Sequence, residues 1–72
     1  MIAYYEKIMD LWRAGKTRDA VLDFYNFKKS GQLTDEEIEK LEKFLPCDEV
    51  FVEMFLESPP HIQLKIKKLL GI

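Results

Sequence analysis

Cys47 and His61 are the residues of this 72-residue chain whose types could support nucleophilic catalysis, as a thiol and its base. A predicted helix boundary lies between them, and nothing near His61 orients its imidazole ring. One cysteine and one histidine also fall short of the four ligands of a structural zinc site. We therefore interpret Cys47 as a half-buried turn residue and His61 as a surface residue, and we predict no catalytic and no metal-binding residues.

Acidic residues are concentrated in the middle of the chain, where residues 35–57 hold nine acids and two lysines between basic ends. Carboxylates at positions 35–37 are typical of a helix N-terminus, where negative charge is stabilising. The row of Glu49, Glu53 and Glu57 is typical of a solvated helix face, and no glycine-rich phosphate loop occurs. We therefore expect no enzyme activity, no cofactor and no small-molecule substrate. The charge distribution suits a basic partner or a self-complementary dimer, with ordinary solvated faces as the alternative.

Apolar residues recur with the period of an α-helix in five segments, so the sequence predicts an all-α fold. The short connections favour a compact array of four or five short antiparallel helices in one domain, residues 1–72. We expect these helices to run from about Ile2 to Ala14, from the residue after the cap Thr17 to about Ser30, from the cap Thr34 to the residue before Pro46, from about Asp48 to Glu57, and onward from Ser58. A strand over residues 50–56 competes with the fourth helix, but no second strand is predicted for it to pair with.

Local signals mark several of the helix ends. Gly15 and Gly31 are expected to end the first two helices, and Thr34 with Glu37 is expected to form a capping box at the third. The fourth helix is apolar around most of its circumference, which indicates a central position or cover by another chain. For the fifth helix, the helical period of apolar residues predicts that Leu64 is exposed. It predicts that four other residues face the core: Ile62, Ile66, Leu69 and Leu70.

Tyr4, Leu11, Gly15, Ala20 and Phe24 follow the spacing of a helical hairpin in which a small residue and an aromatic one face the first helix. On these residues, positions 4–27 resemble a single tetratricopeptide hairpin. The chain departs from that family at Ile8 and Phe27, where the family has small residues, at Gln32, where it has proline, and over residues 33–72, which do not repeat the pattern. The resemblance implies peptide or protein binding along the first helix and no enzyme chemistry.

Aromatic and long apolar side chains on the first helix could contact a partner or cover the core. Tyr5, Met9 and Trp12 form an arc of residue types that are frequent at interaction hot spots. Val52 and Leu56 on the fourth helix present the same two alternatives. We predict a small interaction or assembly module that binds through these five residues, and its partner is another protein or a second copy in a homodimer.

A small DNA- or RNA-binding regulator is the leading alternative. It would use Arg13, Lys16 and Arg18 at the first turn together with the lysines of the fifth helix. The recognition helix of such a protein would be the fourth, whose glutamates oppose binding to a polyanion. We therefore regard nucleic acid as the less favoured partner.

Three features of the sequence indicate where in the cell the protein is located. Only one cysteine is present, the N-terminus lacks a basic stretch followed by an apolar one, and no apolar run approaches about 18–20 residues. These features predict a cytoplasmic protein that does not bind a membrane.

Overall fold

A computed structural model describes residues 4–46 and 48–71. Within those ranges the chain forms five α-helices and no strand, which confirms the predicted all-α fold and the helix over residues 50–56. The helices are α1 (Tyr4–Arg13), α2 (Thr17–Lys29), α3 (Asp35–Glu42), α4 (Glu49–Glu57) and α5 (Pro60–Leu69). The predictions for Ile2 and for Cys47 fall outside the described residues. None of the described helices is long and apolar enough to cross a membrane.

The predicted helix signals act as expected at three positions. Gly15 and Gly31 have φ angles of 81° and 77°, in the left-handed region that favours glycine after a helix. At the start of α3, Glu37 N donates to Thr34 Oγ1 at 3.1 Å, and Thr34 N donates to Glu37 Oε1 at 2.9 Å. The reciprocal pair is the predicted capping box.

Helix α2 is the central element, since it packs against α1, α4 and α5. Its small Ala20 is completely buried and allows α1 to approach closely. The side chains that fill the centre come from four helices: Ile8, Trp12, Val21, Phe24, Leu41 and Phe55. Helix α3 adds Leu41 to this core and is joined to α2 by an ion pair between Lys28 and Glu42 at 3.0 Å.

The orientation predicted for α5 is wrong at its C-terminal end. Leu69 is 87% exposed and Leu70 36% exposed, although the helical period predicted both inside, whereas the predicted exposure of Leu64 is confirmed. The polar Gln63 is buried instead. A polar side chain can occupy that position because all of its hydrogen-bonding groups have partners there.

Candidate functional site

An apolar groove lies between α4 and α5 and has a volume of about 390 Å³. Phe51 near the start of α4 and Leu70 at the end of α5 line the same groove, so the two helices run in opposite directions along its sides. The complete lining is Phe51, Met54, Phe55, Ser58, Ile66, Leu69 and Leu70. Phe55 is fully buried and belongs to the core, which means that the groove opens directly onto the packed interior.

The walls of this groove hold the most exposed apolar side chains of the described chain. Met54 is 65% exposed, Leu69 is 87% exposed, and Val50 beside the groove is 63% exposed. Contiguous exposed apolar surface on a small protein marks an interaction site or an aggregation hazard, whereas scattered apolar residues carry no such meaning. Here the residues are contiguous because the groove joins them.

Three hydrogen-bonding side chains hold the walls in place at the corner between α4 and α5. Gln63 Nε2 donates to the Phe55 carbonyl at 2.9 Å and to the Ser58 carbonyl at 3.1 Å, while Thr17 Oγ1 donates to Gln63 Oε1 at 2.9 Å. Arg18 Nη1 donates to the Leu56 carbonyl at 2.6 Å. These bonds satisfy carbonyl groups that every helix leaves unpaired at its C-terminus. They also connect α2 to both helices of the groove.

The sequence analysis did not identify Gln63 and Arg18 as the residues that hold the corner between α4 and α5. The sequence does indicate that the end of α4 needs such donors. The sequence after α4 is Ser58-Pro59-Pro60, which offers neither a C-terminal glycine nor a basic residue in the last turn. Ser58 supplies two local donors, its N to the Phe55 carbonyl at 3.2 Å and its Oγ to the Met54 carbonyl at 2.8 Å. The Leu56 and Ser58 carbonyls are instead bonded by donors from elsewhere in the chain. Which donors reach them depends on the packing of α2 and α5, and helical periodicity does not contain that information.

Charged residues border the groove on both sides, and the two borders have opposite signs. At 100° per residue, the row Glu49, Glu53 and Glu57 follows α4 beyond Val50 and Met54 as seen from the groove. We call this row the acidic edge. On α5 the exposed His61, Lys65 and Lys68 lie beyond Leu69, and we call them the basic edge. Within residues 4–46 and 48–71, no member of either edge forms a salt bridge.

The five residues predicted to contact a partner all lie in or against the core, and they differ in how far they are buried. Met9, Trp12 and Val52 are buried in the core, and Tyr5 and Leu56 are half-buried against it. Trp12 packs on Phe55 with ring centroids 6.1 Å apart, and Lys67 Nζ lies 5.8 Å from the centre of the Trp12 ring. Met9 and Val52 are each 5% exposed and Trp12 has no exposed surface, so these three side chains offer a partner little contact area. The exposed apolar surface of α4 is instead formed by Val50, Phe51 and Met54.

Three other depressions are more polar, and the largest of them, about 490 Å³ around Leu64, Lys67, Lys68 and Gly71, exceeds the groove in volume. One of about 290 Å³ lies beside the first turn of α2 and is lined by Lys16, Arg18 and Asp19 among others. Another of about 260 Å³ lies along α1 beside Tyr5. His61 is exposed as predicted. Among the residues that the structure describes, no three histidine, cysteine or acidic side chains form a group that could hold a metal ion.

No protein-family model, no curated protein and no solved structure matches the chain. The resemblance of residues 4–27 to a tetratricopeptide hairpin therefore stays a prediction. Evidence on function therefore comes from the surface of the protein. The apolar groove between α4 and α5 is the part of that surface least like an ordinary solvated helix face.

Proposed function

We propose that this protein is a non-enzymatic protein-interaction or assembly module whose docking surface is the groove between α4 and α5. One observation carries the proposal: α4 and α5 direct Phe51, Met54 and Leu69 toward solvent around a shared groove. We further propose that the protein acts in the cytoplasm, where a chain with a single cysteine needs no disulfide.

The exposed side chains supply a driving force for association. Removing one fully exposed leucine, methionine or phenylalanine from water contributes about 1.5–3 kcal/mol. Leu69 and Met54 are mostly exposed, so a partner that covers both gains a substantial part of that amount for each. The gain must exceed the loss of translational and rotational freedom on binding, so the partner must cover the whole groove rather than one residue.

The chemistry of the lining favours a protein partner over a small molecule. Small-molecule sites combine an apolar cavity with a few polar groups that converge on the ligand. Ser58 is the one polar residue among the described residues of this lining, and its Oγ already donates to the Met54 carbonyl at 2.8 Å. A surface without free polar groups suits the apolar face of another helix, which brings no unsatisfied donors with it.

Nucleic-acid binding has weaker support from the basic residues at the first turn. Arg18 donates one guanidinium nitrogen to the Leu56 carbonyl, and Asp19 lines the same depression as Lys16. On α4 the outward charges are glutamates, and like charge opposes a phosphate backbone. The lysines of α5 are the remaining basic surface, and they border the apolar groove.

A pair of matched variants tests the proposed docking surface. Leu69→Glu places a charge in the groove, whereas Leu64→Glu places the same charge on the same helix outside it. Leu69 is 87% exposed and Leu64 47% exposed, so both variants should keep the far-ultraviolet spectrum of the unmodified protein, and Leu64→Glu should lower the melting temperature by a few degrees at most. The three proteins, tagged and cross-linked, are used to capture partners from lysate of the source cells, followed by mass spectrometry.

We expect at least one protein to be captured by the unmodified chain and by Leu64→Glu and to be lost with Leu69→Glu. Native copies of this chain count as such a protein. An identical set of captured proteins for all three baits would contradict the assignment of the groove as the docking surface.

A further inference from the structure

We propose that the occupant of the groove is a second copy of this chain, in a symmetric dimer whose two-fold axis runs along the groove. This inference rests on the proposed function and adds the identity of the partner to it. Two features carry it: the apolar lining shared by α4 and α5, and the opposite signs of the two charged edges.

A two-fold axis along the groove exchanges its two sides. In such a dimer α4 of one copy faces α5 of the other, so the acidic edge of each copy lies over the basic edge of its neighbour. Because the axis keeps positions along the groove unchanged, the two antiparallel helices also come into register. Glu53 then lies opposite Lys65 of the second copy, Glu49 opposite Lys68, and Glu57 opposite His61.

Other arrangements of the same surfaces are unfavourable. A two-fold axis across the groove would place α4 on α4 and bring two acidic edges together, with two basic edges on the other side. Like charges held close together at an interface cost free energy and suppress that mode of association. The charge pattern therefore selects one axis, while the apolar lining supplies the attraction. The charged residues are free for this role because, among the described residues, none is engaged in a salt bridge.

The size of the surface sets the expected strength of the dimer. Helices of 9 and 10 residues are about 14 and 15 Å long. An interface built from two such pairs falls at the small end of specific interfaces, which bury about 1,200 Å² or more in total. We therefore expect a weak dimer, with a dissociation constant of about 0.1 mM, so that monomer and dimer coexist at concentrations of tens to hundreds of micromolar.

Sedimentation equilibrium of the purified full chain, from about 10 µM to about 1 mM, measures this association directly. We expect the mean mass to rise from monomer to dimer and to stop there. Leu69→Glu should remain monomeric throughout the range, whereas Leu64→Glu, whose added charge lies outside the groove but beside the basic edge, should lose association by no more than about tenfold. A monomer at every concentration, growth beyond the dimer, or equal loss of association in both variants would overturn the proposal.

Charge reversal tests the direction of the axis. Glu53→Lys alone and Lys65→Glu alone should each weaken dimerisation by about tenfold, because each reverses two symmetry-related contacts. An equimolar mixture of the two variants should form a heterodimer about as strong as the original dimer, since both contacts between positions 53 and 65 are again between opposite charges. Single variants that dimerise as well as the original chain would overturn the proposed axis.

The two proposals fail in distinguishable ways. If the purified chain stays monomeric while the lysate experiment still captures a different protein through the Leu69 surface, the groove is a docking site and the second copy is not its occupant. If the chain stays monomeric and no captured protein depends on Leu69, both the inference and the proposed function are wrong.

Discussion

The α1–α2 hairpin and the α4–α5 pair are both built from two amphipathic helices, but the first is closed and the second is open. Between α1 and α2, Ile8 and Ala20 are completely buried, and the rings of Tyr4 and Phe27 lie 4.3 Å apart. Apart from Ser58, the side chains that line the groove between α4 and α5 are bulky: Phe51, Met54, Phe55, Ile66, Leu69 and Leu70. A small residue lets two helices approach until their ridges interlock, whereas bulky residues on both helices leave a space between them.

The connection within the first pair is closed by local hydrogen bonds, whereas the connection within the second is held by side chains from other helices. The turn after α1 closes on itself, because Lys16 N donates to the Leu11 carbonyl at 2.9 Å around Gly15. The corner after α4 is held by side chains from α2 and α5, chiefly Arg18 and Gln63. A hairpin closed by local bonds is complete by itself. The open pair depends on long-range bonds to keep its groove in shape, and this is expected of a surface that has to be held ready for a partner.

The largest effect that separates the two regions should come from Trp12→Ala. Trp12 is a fully buried residue of α1 that packs on Phe55. Truncating a buried aromatic side chain typically lowers the free energy of unfolding by about 3–5 kcal/mol. A single core in a chain of this size rarely supplies more than about 3–5 kcal/mol in total. We therefore expect this variant to be largely unfolded at 25 °C, as measured by circular dichroism with urea titration.

The matched control for that prediction is Trp12→Phe, which keeps most of the buried apolar volume and removes the buried indole nitrogen, an atom without a hydrogen-bond partner among the described residues. We expect this variant to remain folded with a moderate loss of stability. A Trp12→Ala protein with an unchanged urea midpoint would mean that the side chain is not part of the core.

A smaller effect should follow from Gln63→Met, which keeps the approximate size of the side chain and removes its polar atoms. The Thr17 hydroxyl and the Ser58 carbonyl then lose the partner that Gln63 provides, and the buried Phe55 carbonyl keeps only the Ser58 amide as its donor. Leaving buried polar groups unsatisfied costs about 1–3 kcal/mol. Urea denaturation should show a loss of that size, and Gln32→Met, at an exposed position, should show almost none.

Hydrogen exchange of the Gln63→Met variant measures the stability of the two regions separately. Because Gln63 joins the corner of α4 and α5 to α2, we expect amide protection to fall more in α4 and α5 than in α1. A uniform loss of protection over all helices would show that the corner is no less stable than the hairpin.

Most of the secondary structure could be predicted from the sequence because its causes are local. The capping box at Thr34 and the left-handed Gly15 are set by residues within one helical turn of each other. The candidate site could not be predicted in the same way. Helix α4 is apolar around most of its circumference, so its period does not show whether Val52 or Met54 faces the core. The contacts of Gln63 that orient α5 come from residues 5, 8 and 46 positions away.

The smallest effect on folding should come from Leu69→Ala, and it tests the openness of the groove most directly. Leu41→Ala is the matched reference, since Leu41 is the same residue type with no exposed surface and should cost about 2–5 kcal/mol by leaving a cavity. Leu69 is 87% exposed, so its truncation should change the free energy of unfolding by less than about 0.5 kcal/mol. Both variants are compared by urea denaturation at about 1 µM, well below the expected dissociation constant of the dimer, so that association does not contribute. A loss above about 1 kcal/mol for Leu69→Ala would mean that this side chain is covered within a single copy, and the α4–α5 pair would then be as closed as the hairpin.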